Sequence, residues 1–152
     1  MGRKTLLEIL FWIFTAVVVA AVILPVVIAV EGYPFLFTNV VYIVTAITLT
    51  RYLFLLPHTF LARRQALKTI AVFLCIPLLF YLVQELNHFQ VFIDEEGLDA
   101  LVGSLPYQRR NNMVDYIRSE MLLFGTASII SAVAFPFRLL ASVWRTRNRG
   151  TV

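Results

Sequence analysis

Apolar residues fall into four long blocks separated by short polar breaks. The first covers about residues 6–30 and is uncharged from Ile9 onward. The second covers about 35–56, with Arg51 near its end. The third covers about 66–86, and the fourth about 119–143, with Arg138 near its end. A helix needs roughly 20 apolar residues to cross a bilayer. Each block meets that length, so the pattern predicts four transmembrane helices. The first block opens with Arg3 and Lys4, as a signal peptide does. Its apolar stretch exceeds the usual h-region of about 7–15 residues and no good A-x-A site follows, so it is read as an uncleaved span.

The breaks between blocks differ in length. Glu31-Gly32-Tyr33-Pro34 is a tight turn, which makes the first two spans an antiparallel hairpin. About ten residues beginning at Pro57 join the second to the third. A longer segment, about 87–118, joins the third to the fourth. Within it, Phe89, Val91, Phe92 and Ile93 prolong the third span, and Asp94-Glu95-Glu96-Gly97 forms an acidic turn. Leu98, Leu101, Val102 and Leu105 recur at helical spacing, and Pro106 closes that run. Asn111 and Asn112 are placed to cap a second short helix leading into span four. The expected fold is all-α: a four-span bundle over residues 1–152, a single integral membrane domain with a small helical extracytoplasmic cap. Leu98, Leu101 and Leu105 either seal that cap onto the bundle or form a docking or sensing surface.

Composition supports the membrane assignment. Of 152 residues, 60% are hydrophobic and 14% charged, and the mean hydropathy is +0.82. A soluble domain is about 45–50% apolar and about 25% charged. The net charge of +4 would suggest nucleic acid in a soluble protein, but its distribution gives another meaning. Arg3, Lys4, Arg51, Arg63, Arg64, Lys68, Arg138, Arg145, Arg147 and Arg149 all fall on one side of the predicted membrane. The other side holds only Arg109, Arg110 and Arg118, together with Glu31, Glu85, Asp94, Glu95, Glu96, Asp99, Asp115 and Glu120. Basic loops face the cytoplasm, which predicts a multi-pass inner-membrane protein with both termini cytoplasmic. The positive charge is thus an orientation signal for the lipid bilayer, and no nucleic-acid partner is expected.

Ionisable groups within spans are the usual pointers to function. Glu8 lies at the depth of Arg51 and Arg138 and is expected to pair with one of them. At the opposite end, Glu85 with Arg118, or His88 with Glu120, would clasp spans three and four. Span two carries Asn39, Tyr42 and Thr45 on one broad face. Span four carries the small-residue pairs Ala127/Ser131 and Ser128/Ala132, which let a neighbouring helix approach closely, within the chain or from a partner. No nucleophile–base constellation, phosphate loop or haem-ligand pair is present, since His58 and His88 lie on opposite membrane faces. Asp94, Glu95, Glu96 and Asp99 lack the twelve-residue spacing and terminal glutamate of a calcium loop. Cys75 sits in an apolar run and reads as a packing residue. No enzyme activity, cofactor or metal is expected.

Three stretches resemble the membrane region of bacterial multi-span sensor histidine kinases. They are Leu6-Leu7-Glu8-Ile9-Leu10-Phe11-Trp12-Ile13, then Arg51-Tyr52-Leu53-Phe54-Leu55-Leu56-Pro57 with Phe60-Leu61-Ala62-Arg63-Arg64, and Phe137-Arg138-Leu139-Leu140-Ala141-Ser142-Val143-Trp144-Arg145. The sequence departs at Val152, where such kinases continue into phospho-accepting and ATP-binding regions. The resemblance implies a sensor-like module without its output domain. The expected function is a sensor-like or accessory subunit that binds other membrane proteins. The alternative is a small transporter or channel formed by a homo-oligomer, with Asn39, Tyr42 and Thr45 on a shared axis.

Overall fold

The computed structural model describes residues 3–59, 61 and 64–148. Phe60, Ala62, Arg63 and Arg149 lie outside the described residues, as do the side chains of Arg3, Lys4, His58 and Arg147. The described chain is all-α, with four long helices: α1 Arg3–Ala29, α2 Leu36–Leu55, α3 Gln65–Glu95 and α4 Tyr107–Asn148. All four are long and apolar enough to cross a membrane, which makes this a multi-pass membrane protein by length and composition.

Two boundaries differ from the sequence reading. α3 runs on to Glu95, and α4 begins at Tyr107 rather than near Ser119. No glycine or proline stands between Pro77 and Gly97, or between Pro106 and Gly125. Polar residues such as Asn111, Asn112 and Asp115 do not by themselves break a helix, so Asn111 and Asn112 lie inside α4 and cap nothing. The segment expected at 87–118 therefore shrinks to residues 96–106.

The amphipathic helix expected over Leu98–Leu105 is also corrected. It is one 3-10 turn, Leu98–Ala100, followed by turns. Gly97, Gly103 and Pro106 fall too close together for a helix to propagate. Gly97 takes φ +77°, ψ 149° after the Glu96 cap, a conformation reserved for glycine.

Helix packing follows the spacing of buried side chains. In α3, Lys68, Cys75, Leu82 and Phe89 are buried at strict seven-residue intervals. In α4, Ile117, Met121, Ser128, Ala132, Phe135 and Leu139 are buried at steps of three, four or seven residues. Such seams are those of left-handed, coiled-coil-like packing. α2 and α4 form the central pair, α3 lies along α4, and α1 lies mainly along α2. Gly125 lets the helices approach: a Cβ there would meet Leu86 Cδ1 at 3.0 Å and Tyr42 Cε2 at 3.4 Å.

Aromatic packing fixes the α1–α2 turn. Phe35 is buried, with ring centroids 5.2 Å from Phe89, 5.1 Å from Phe92 and 5.6 Å from His88, all edge-on. Gly32, at φ +69°, makes the preceding bend.

Candidate functional site

Polar side chains within the helices gather at two levels. The first lies one turn inside the N-terminus of α2. There α2 presents Thr38, Asn39 and Tyr42, all buried, to α3 and α4. Thr38 Oγ1 donates to Glu85 Oε2 at 2.7 Å. Asn39 Nδ2 donates to Glu120 Oε1. The Tyr42 hydroxyl donates to the Leu82 carbonyl at 3.1 Å. One end of α2 is thus tied to both α3 and α4 by neighbouring residues. On α4, the Tyr116 hydroxyl also reaches the Val22 carbonyl of α1 at 2.9 Å.

This arrangement replaces the expected clasp between spans three and four. Glu85 and Arg118 do not pair, nor do His88 and Glu120; both carboxylates turn toward α2. Arg118 instead lines a cleft of about 220 Å³ with Gln90, Ile93, Asp94 and Leu122. His88 is exposed and lies edge-on to Phe35. The Tyr33 phenol, in the α1–α2 turn, sits beside Asn39 and Glu120. Burial pushes its pKa up, so it remains a neutral hydroxyl.

The second level lies at the opposite end of α2. Arg51 pairs with Glu8 of α1 at 2.5 Å. Its guanidinium lies 4.3 Å from the Phe11 ring centroid and 5.4 Å from that of Tyr52. Of the two partners expected for Glu8, the structure selects Arg51. Arg138 instead donates from Nε to the Leu53 carbonyl at 3.1 Å. The Thr50 and Ser131 hydroxyls are hydrogen-bonded at 3.0 Å. Lys68, only 1% exposed, donates from Nζ to Ser142 at 2.9 Å.

The surfaces expected to meet a partner are occupied by the chain itself. Ser128, Ser131 and Ala132 are buried, and Ala127 is half-buried. Their small size serves the α2–α4 approach within the molecule. Leu98 and Val102 are buried in the common core, with Leu101 and Leu105 packed against it. The leucines therefore hold residues 96–106 on the bundle and do not form an outward docking face. Asn39 and Tyr42 are fully buried within the protomer and cannot line a channel shared between copies.

Sequence reasoning missed Thr38, Lys68, Tyr116 and Gly125. Lys68 had a visible signal, because it falls in seven-residue register with Cys75, Leu82 and Phe89. Thr38 and Tyr116 give no such signal, since their roles depend on which helix lies opposite.

Apolar grooves remain open among the described residues. One, of about 440 Å³, runs along α1 and is lined by Trp12, Thr15, Ala16, Val19, Ala20, Ile23, Leu24 and Val27, with Val44 of α2. Another, of about 400 Å³, lies between the end of α1 and the start of α4, with Arg109 and Asn112 among its lining residues.

Fold and polar joints together define a helical, multi-pass membrane protein. No family model matches the chain, and no curated protein or solved structure was found to be similar to it.

Proposed function

We propose that this chain is a non-enzymatic subunit of the inner, cytoplasmic membrane, with both termini cytoplasmic, that binds other integral membrane proteins in a sensor-like or accessory role. The α1 groove carries this reading. Ala16 and Ala20 stand four residues apart on its lining, and such small-residue spacing admits a second helix at close range. Thr15 has already spent its hydroxyl on the Phe11 carbonyl at 2.8 Å, so the groove offers packing rather than hydrogen bonds. The outward surface of α1 is apolar along its length, with Trp12, Phe14, Val17, Leu24 and Ile28 all exposed. The partner is a transmembrane helix of another protein, seated between α1 and Val44. The resemblance to kinase sensor regions supports a role in which such a partner supplies the output.

The experiment is affinity purification in mild detergent, followed by mass spectrometry and site-specific photo-crosslinking from Ala20. A stoichiometric partner crosslinked at Ala20, and lost in Ala16→Leu and Ala20→Leu at unchanged melting temperature, is expected. A lone monomer, or capture indifferent to both substitutions, would overturn the proposal.

A further inference from the structure

Three oxygens at the α2–α4 joint are buried with no hydrogen-bond partner: Glu120 Oε2, Asn39 Oδ1 and the Tyr33 hydroxyl. Their residues are 6%, 0% and 6% exposed. Glu120 and Asn39 are already joined through Nδ2 and Oε1. Each of these two planar groups therefore has one terminal atom engaged and one unsatisfied. An ionised carboxylate leaves two acceptors, Oε2 and Oδ1, with the single Tyr33 hydroxyl hydrogen beside them, so at least one stays unpaired. Buried acceptors left unpaired are costly, and low-dielectric surroundings raise the cost.

The neighbouring groups supply no compensating positive charge. The α1–α2 turn contributes the Tyr33 phenol. α2 contributes Asn39 and Tyr42, and the Tyr42 hydroxyl is spent on Leu82. α3 contributes Glu85, which is engaged by Thr38 and adds negative charge. α4 contributes Tyr116, bonded to Val22, and Arg118, which lies in the cleft with Asp94. Among the described residues, the one ion pair is Arg51 with Glu8, at the other end of α2.

We propose that the Asn39–Glu120 joint is a proton-binding site: one proton on Glu120 bridges Oε2 to Asn39 Oδ1 and closes a cyclic acid–amide pair between α2 and α4. A protonated carboxyl has one donor and one acceptor, and so does the face of an amide, so the two groups complete each other. The proton is taken from water and returned to it, and only the O–H bond forms or breaks. Its loss sets two acceptors against each other and removes one of the two bonds holding the joint. Stability contributed by this site is present at low pH and is lost as pH rises and the buried acid ionises. This proposal stands independently of any partner in the α1 groove.

Infrared spectroscopy of the purified protein in lipid tests it. At neutral pH the wild type should show the carbonyl stretch of a protonated carboxylic acid, shifted in D2O. Glu120→Gln should lack that band and Glu85→Gln should keep it. Asn39→Ala should move it to the higher frequency of a non-bonded acid. Gln supplies an N–H where the proton sits, so Glu120→Gln should melt near the wild type at neutral pH. It should also stay level at alkaline pH, where the wild type falls. The proposal is overturned by no such band in the wild type, or by a band indifferent to both Glu120→Gln and Asn39→Ala. Parallel melting curves for Glu120→Gln and wild type overturn it too. So does a band abolished by sodium or potassium at fixed pH, which would make the joint a metal-cation site.

Discussion

Arg51 shows how one side chain is held by three kinds of contact. Its guanidinium pairs with Glu8, lies over Phe11 and borders Tyr52. The pair is largely shielded, with side chains 8% and 22% exposed. Removing either charge leaves the other with reduced solvation, so Arg51→Met and Glu8→Gln should each lower the melting temperature in detergent. The double variant should lose less than the sum, with a coupling of about 1 kcal/mol. Arg51→Lys should recover only part of the loss, because an ammonium stacks poorly on Phe11. Calorimetry of the wild type, the two single variants and the double variant gives the cycle, and additive losses would show that the pair contributes nothing. The depth match of Glu8 and Arg51 was legible in the sequence, but the choice of Arg51 over Arg138 was not. It depends on α1 lying along α2, whereas Arg138 sits on α4 and finds the Leu53 carbonyl.

At the scale of the helix, Gly125 is a position where α4 comes close to Leu86 of α3 and Tyr42 of α2. An added methyl meets the flexible end of Leu86, so Gly125→Ala should be nearly neutral in a thermal melt. Gly125→Leu must displace Tyr42 as well, and overpacking of this kind typically costs about 1–3 kcal/mol. It should also release the Tyr42–Leu82 bond, visible as faster exchange at the α2–α3 contact. Equal melting of both variants and wild type would show that the close approach is unimportant. The number of helices and the all-α class were legible because four apolar blocks have no other stable form in a bilayer. Helix ends were not, because polarity marks where a helix leaves lipid rather than where it stops. The breaks fall at Gly97 and Pro106, but Pro25, Pro77, Gly125 and Pro136 lie inside helices, so glycine and proline alone do not mark an end. The small-residue stripe of α4 was equally legible as a close-approach surface, but its composition could not say that α2 lies opposite.

Four crossings, as proposed, would put both ends of the chain on one side. The basic residues near Arg64 and Arg145 and the acidic ones around Asp94 and Glu96 would then lie on opposite faces. Reporter fusions at either terminus should both read cytoplasmic, and a cysteine introduced at Glu96 should label from outside, once Cys75 is replaced by Ser. Labelling of that cysteine only after the membrane is opened would reverse the orientation. The bundle is also uneven in its attachments: α1 depends chiefly on α2, while α4 meets α1, α2, α3 and the Leu98–Ala100 turn.

The length of α4 has a mechanical consequence. Its 42 residues span roughly 63 Å at 1.5 Å each, about twice a bilayer's hydrocarbon thickness of some 30 Å. One continuous rod therefore carries both the Glu120 joint and the far end beyond Trp144. Pro136 is the sole interior proline of this helix, and it stands toward that far end. A small rotation imposed near Tyr116 would be carried along the shaft, and Pro136, which donates no backbone hydrogen bond, is a place where it can be converted into bending.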